Sequence, residues 1–256
     1  MGRGMTTTTP WLVLRKFNPR AAIRLFCFPY AGGGDAIFRE WPRSLPESIE
    51  VCPVQLPGRG ARIAERPFTQ FAPLVEAASR ALVPHLDKPF AIFGHSMGAL
   101  IGFELAHQLR RDYNLQPVHL FMSGRCGPQV VIDRDTSELS DAEFIDLLSG
   151  YNGTPKEALE DPELMQLMLP IIRADFAVCR SYRYRAAPPF DCPITAFGGL
   201  LDPAVNRECM EGWREHTTST FLVRMLPSDH FFVTSERHLL LDAIARELHR
   251  YVKELS

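Results

Sequence analysis

Phe90-Ala91-Ile92-Phe93-Gly94-His95-Ser96-Met97-Gly98-Ala99-Leu100-Ile101 is the stretch on which the fold turns. Phe90–Phe93 is a short apolar run with the character of a buried strand, and from Met97 to Arg111 the spacing becomes helical. Between them stands G-x-S-x-G. Strand, sharp turn and helix together form the setting in which a serine is held above the end of a sheet with its Oγ exposed. Flanking glycines let strand and helix approach without a Cβ clash. The helix N-terminus lies behind the serine, where it favours developing negative charge.

Outward from this stretch, short β-branched or aromatic runs alternate with helical patterns. Ile23–Phe28, Ile49–Val54, Val118–Met122, Ile194–Phe197 and Phe221–Leu226 are expected strands. A short helix near Ala36–Arg43, a longer one over Thr69–His85 and a closing one over Glu236–Lys253 are the expected helices, and Trp11–Phe17 is read as an antiparallel edge strand. Such alternation predicts an α/β fold: one domain over 1–256, a mostly parallel central sheet with helices on both faces. The rhythm breaks between Met122 and Ile194, where no good strand occurs. Ser140-Asp141-Ala142-Glu143 is a capping box. Asp161-Pro162 starts a second helix, which Pro170 is expected to kink or end before Ile171–Tyr184 continues helically. Residues 128–190 are therefore expected to be a helical lid insertion, its leucines and methionines forming a deformable apolar surface.

Composition bounds the possibilities. The chain has 256 residues, 46% hydrophobic and 23% charged, with net charge −2, so no basic surplus argues for nucleic acid or an anionic membrane. Disorder, collagen and coiled coil do not fit. Phe90–Ala106 is too short and too polar to span a bilayer. Met1–Pro10 lacks a signal peptide's apolar region and is read as a disordered N-terminus or an added remnant ahead of Met5, although Met1–Thr6 matches an N-myristoylation pattern. The six cysteines are scattered without C-x-x-C and are expected to be free buried thiols in a reducing compartment, hence a cytoplasmic protein.

A serine nucleophile needs a base, and the base an orienting acid. On a sheet of this type the chain order is serine, acid, histidine. His230, in Pro227-Ser228-Asp229-His230-Phe231-Phe232, follows the expected strand Phe221–Leu226. Asp202 follows Ile194–Phe197. Both should emerge at the same sheet edge as Ser96. Asp133 or Asp135 is the alternative acid. His95 should point away from the Ser96 Oγ, and His85, His107, His119, His216, His238 and His249 read as surface or core residues. An oxyanion hole needs two backbone N–H donors. Met97 supplies one; the loop Pro29–Gly34 supplies the other, with Ala31 preferred and Tyr30 next. No metal-ligand pattern and no dinucleotide fingerprint occurs.

With these residues in place the chain resembles the type II thioesterases of modular polyketide and nonribosomal peptide synthases, in the α/β-hydrolase superfamily. The resemblance rests on Phe28-Pro29-Tyr30-Ala31-Gly32-Gly33, Gln55-Leu56-Pro57-Gly58-Arg59-Gly60 and Gly94–Gly98. It continues through Asn152-Gly153-Thr154-Pro155, Leu169-Pro170 with Arg173-Ala174-Asp175-Phe176, Asp202-Pro203 and Asp229–Phe232. It implies an α/β-hydrolase fold and an editing hydrolase that cleaves aberrant acyl groups from the phosphopantetheine arm of acyl carrier domains. The catalytic set would be Ser96, His230 and Asp202, with Met97 and Ala31 as oxyanion donors. No cofactor of its own is implied, because the substrate carries the phosphopantetheine. Arg59, Arg62, Arg173, Arg180, Arg183 and Arg185 are candidates for docking an acidic carrier domain, although solvated arginines in an arginine-rich protein read equally well. A general serine esterase or acyltransferase on the same fold is the alternative, and a non-catalytic binding protein a third reading.

Overall fold

The computed structural model describes residues 9–13, 18–130, 136–150 and 161–254. Six strands form one parallel sheet: β1 (Ile23–Phe28), β2 (Ile49–Pro53), β3 (Phe90–His95), β4 (His119–Ser123), β5 (Ile194–Gly199) and β6 (Phe221–Leu226). Their order is β2-β1-β3-β4-β5-β6, every neighbouring pair parallel. All but β6 are buried on both faces, which is why they read as continuous apolar runs instead of alternating ones.

Alternate strand residues feed two cores. Phe26, Phe28, Phe90, Ile92, Leu120 and Met122 pack beneath α1 (Phe71–Leu82) and α2 (Met97–Tyr113). Leu25, Cys27, Ala91, Phe93 and Phe121 face the other way, onto Trp41 of a short helix (Trp41–Ser44). On that face they also meet Leu240, Ile244 and Leu248 of the closing helix (Arg237–Glu254). Near the start of β1, Arg24 donates to Glu50 of β2 at 2.7 Å, a pair almost wholly removed from solvent.

The helices between β4 and β5 make a third, smaller core. In α3 (Asp141–Ser149) the capping box is present, with Ser140 accepting from the Glu143 amide. In α4 (Pro162–Ser181) Asp161 accepts from the amides of Glu163 and Leu164. Phe144 and Leu148 of α3 meet Met165, Leu169 and Ile172 of α4. Residues 131–135 and 151–160 of the expected insertion, Asn152–Pro155 and the alternative acids Asp133 and Asp135 among them, lie outside the described residues.

Two expectations are narrowed and a third is corrected. Pro170 does not end its helix; α4 runs through it. Pro170 and Gln166, whose carbonyl loses its intrahelical donor, both lie on the exposed face, so water can satisfy that oxygen. Of the edge strand expected at Trp11–Phe17, residues 14–17 lie outside the described residues, and Leu12 forms an antiparallel bridge with Val54. Cys126 and Cys209 are joined in a disulfide, whereas Cys27, Cys52, Cys179 and Cys192 are free. The bonded pair is 83 residues apart in sequence, a distance at which no short motif announces it.

Buried histidines weaken the fold in acid, His107 and His119 among them. Burial pulls the imidazoles of His107 and His119 down to about 3, so both are neutral in the fold at pH 7. Unfolded, they take up a proton near pH 6.5. Stability therefore falls as pH drops below about 6.5 toward 3, by about 1 kcal/mol per pH unit for each ring. His119→Gln is expected to remove one such contribution, leaving a shallower decline in urea midpoint between about pH 6 and pH 4.

Candidate active site

Ser96 stands alone between the last residue of β3 and the first of α2. Its backbone lies at φ 54°, ψ −112°. A non-glycine residue there costs on the order of 1–3 kcal/mol and persists only where its surroundings over-determine it. The surroundings do so by closeness. A Cβ on Gly94 would lie 2.1 Å from the Gly98 carbonyl oxygen, and one on Gly98 would lie 2.3 Å from that of Phe28 at the end of β1. The Ser96 amide is held by the Ser123 carbonyl of β4 at 2.7 Å. His95, next in the chain, is buried: its Nδ1 meets the Ser123 Oγ at 2.8 Å, and burial lowers its proton affinity well below that of an ordinary histidine.

Asp202 and His230 come from the loops after β5 and β6, and they meet. His230 Nδ1 lies 2.5 Å from Asp202 Oδ2. The other carboxylate oxygen, Oδ1, accepts from the amides of Ala204 (2.9 Å) and Val205 (3.1 Å). Both oxygens of this 1%-exposed carboxylate are thus engaged. Facing a carboxylate, a neutral imidazole donates from Nδ1 and keeps its lone pair at Nε2.

Ser96 and His230 open onto one cavity of about 360 Å³, which Ala31 also borders. Leu148 of α3 and Met168, Ile172 and Phe176 of α4 line its apolar side. Ala31 follows β1, and Ser96 follows β3. These adjacent strands are where the strand order reverses, the position at which open α/β sheets place their ligands. Met97 opens α2, so its N–H is among the first helical amides, which have no intrahelical acceptor.

The docking arginines separate. Arg59 and Arg62 are buried and so offer no docking surface. Arg59 pairs with Asp175 of α4. Arg62 forks onto Glu65, donates to the Gln55 carbonyl and lies over the Trp11 ring. A guanidinium accepts such burial because its planar fork satisfies several partners at once. Arg173 bonds Asp141 and the Leu139 carbonyl, Arg180 borders the cavity, and Arg183 and Arg185 are exposed. Asp175 is the residue that motif reading quoted but left without a role. Its signal was positional: a carboxylate three residues from both Ile172 and Val178, on the buried face of α4.

Comparison with known proteins identifies the chain. Residues 23–252 match the family described as thioesterase domain, and the protein belongs to it. The gramicidin S biosynthesis protein GrsT of Aneurinibacillus migulanus is 47% identical over 239 residues, 93% of each chain. Among solved structures, the RedJ thioesterase from the prodiginine pathway of Streptomyces coelicolor is 42% identical. It superposes with a TM-score of 0.85 over 89% of this chain and 91% of its own. The type II thioesterase BorB from the borrelidin biosynthetic cluster is 33% identical, with TM-score 0.85 over 93% and 97%. The fold is that of the α/β-hydrolases, and the enzyme is a thioester hydrolase of the type II thioesterase group. Among the described residues no helix is long and apolar enough to cross a membrane.

The closeness around Ser96 has a direct test. Gly98→Ala forces a methyl group onto the Phe28 carbonyl, and is expected to cost about 3 kcal/mol and most of the thioesterase turnover. Urea midpoints and turnover of a small thioester check both.

Proposed function

We propose that Ser96 is the nucleophile, His230 the general base and acid, and Asp202 the residue that fixes the His230 tautomer. The observation that carries this reading is the Asp202–His230 bond, formed beside a strained serine on one cavity. Ser96 Oγ bonds to the thioester carbonyl carbon as its proton passes to His230 Nε2. The N–H groups of Met97 and Ala31 receive the oxyanion. The carbon–sulfur bond then breaks, and the thiol leaves with the proton from His230. A water molecule gives its proton to His230 and attacks the acyl-Ser96 ester, and collapse returns the proton to Ser96. A thiol is a better leaving group than an amine, so the demand on His230 as an acid is modest.

The substrates we assign are acyl groups on the phosphopantetheine arm of acyl carrier domains, removed as an editing function during nonribosomal peptide or polyketide assembly. The support lies in the relatives' own descriptions, gramicidin S biosynthesis for GrsT and the borrelidin cluster for BorB. We read residues 128–190 as the lid over this site. Its apolar side chains border the cavity with Ser96, and they pack into a small core of their own. Carrier docking would use the exposed Arg183 and Arg185 at the edge of that insertion.

Intact-mass spectrometry of an acylated carrier protein, incubated with the enzyme, tests the reading. Loss of the acyl mass with wild type, slowed by about 10³-fold or more in Ser96→Ala, is the expected result. Deacylation by Ser96→Ala at the wild-type rate would overturn the nucleophile assignment; turnover of simple esters but not of acyl-carrier would overturn the substrate. The lid reading has its own measurement. Phe176→Ala opens the apolar side of the cavity and is expected to shift preference toward longer acyl chains, by several-fold in relative kcat/KM over a chain-length series.

A further inference from the structure

Two sequence motifs far apart in the chain meet in the structure, and the mechanism above uses neither. Arg59, in Gln55–Gly60, forms a two-pronged ion pair with Asp175 of α4: Nη1 to Oδ2 and Nη2 to Oδ1, both 2.7 Å. Each side chain is 7% exposed or less. A buried pair of this kind often serves only the fold. Here its remaining bonds reach the loop after β1. Asp175 Oδ2 accepts the Gly32 N–H at 2.7 Å, and Arg59 Nη1 donates to the Gly33 carbonyl at 2.9 Å.

That loop is a tight turn. The Gly33 N–H donates to the Tyr30 carbonyl at 2.9 Å, and Gly32, in third position, sits at φ +78°. This is the type II pattern, which differs from type I by a flip of the central peptide. The central peptide's donor is the Gly32 N–H, the group Asp175 holds. A flip would swing that N–H away from the carboxylate and leave a buried Asp175 oxygen without its backbone donor. Ile172, one helical turn before Asp175, closes the same side: a Cβ on Gly32 would lie 2.8 Å from its Cγ1. The Tyr30 carbonyl, the Gly32 N–H and the Gly33 carbonyl are thus all pinned, two of them by the Arg59–Asp175 pair.

We infer that Asp175, held by Arg59, is a positioning residue: by bonding the Gly32 N–H it anchors the Tyr30–Gly33 turn to α4 and so holds the Ala31 N–H in place for the thioester oxyanion. The inference rests on the assignment of Ser96 and Ala31 given above. It also ties the oxyanion hole to α4, so that the helix shaping the acyl cavity completes the hole when it is seated.

The test uses the full chain, a small acyl thioester as substrate, and an acyl trifluoromethyl ketone. The ketone carbonyl adds Ser96 Oγ, and its oxygen becomes the oxyanion. Asp175→Asn is expected to lower kcat by about 10- to 100-fold with KM within about threefold. The inhibition constant for the ketone should rise by the same factor as kcat/KM falls. Arg59→Lys keeps the buried charge but loses the fork; it should show the same pattern more weakly, and it serves if Asp175→Asn does not fold. Glu50→Gln breaks the comparably buried Arg24–Glu50 pair, away from the site, and should lower the melting temperature while kcat holds. Wild-type kcat in both Asp175→Asn and Arg59→Lys, an unchanged ketone affinity beside a lowered kcat, or an equal kcat loss in Glu50→Gln would each overturn the inference. A wild-type enzyme indifferent to the ketone would overturn the Ser96 assignment and this inference with it; tight inhibition of wild type and variants alike would overturn this inference alone.

Discussion

A methyl group at Gly98 would lie 2.3 Å from the carbonyl oxygen of Phe28, and one at Gly94 would lie 2.1 Å from that of Gly98. The start of α2 is therefore pressed against the ends of β1 and β3 as closely as backbone allows. The chain has no room for an ordinary turn between β3 and α2, and Ser96 takes up the difference in a left-handed backbone. Such strain is tolerable only because the sheet around it is rigid: five parallel strands buried on both faces, with cores of close-packed side chains on either side. The same closeness brings the loop after β1 alongside Ser96. Cavity, serine and glycine-rich loop are consequences of one steric condition at the point where the strand order reverses.

Around that point, two carboxylates that enter the interior arrive with partners. Asp202 spends one oxygen on two backbone amides and the other on His230, so the imidazole is held from one side by a carboxylate that is itself held. Arg59 and Asp175 satisfy each other and two backbone groups of the loop after β1. Burying ions is unfavourable unless geometry and extra hydrogen bonds compensate. Both clusters meet that condition, and both do so beside the cavity.

Much of this was legible in the residues. Strands that are buried on both faces announce themselves as short apolar runs, so β1 to β6 fall within a residue or two of where Ile23–Phe28, Phe90–Phe93 and Phe221–Leu226 place them. Ser96, Asp202 and His230 each follow such a run, and parallel strands deliver their loops to one edge. What could not be read depends on pairings across the chain. Arg59 and Arg62 carry the composition of a solvated surface, and only the neighbours Asp175, Glu65 and Trp11 show them to be interior. Cys126 and Cys209 lack a spacing motif because their meeting is set by β4 and β5 lying side by side. Pro170 survives within α4 because the carbonyl it orphans faces water, a property of how the helix is seated.

The bond between Cys126 and Cys209 joins the exit of β4 to the short helix Arg207–Met210, their Cα atoms 4.9 Å apart. Both helices of the small third core, the strand β5 and Asp202 lie on the covalent ring it closes. Whatever happens to the helices that line the cavity, the two ends of the ring stay clasped together. Lineages could therefore lengthen, shorten or exchange those helices to suit a new acyl chain, much as a strap is changed on a fixed buckle, while the carboxylate beside His230 keeps its station.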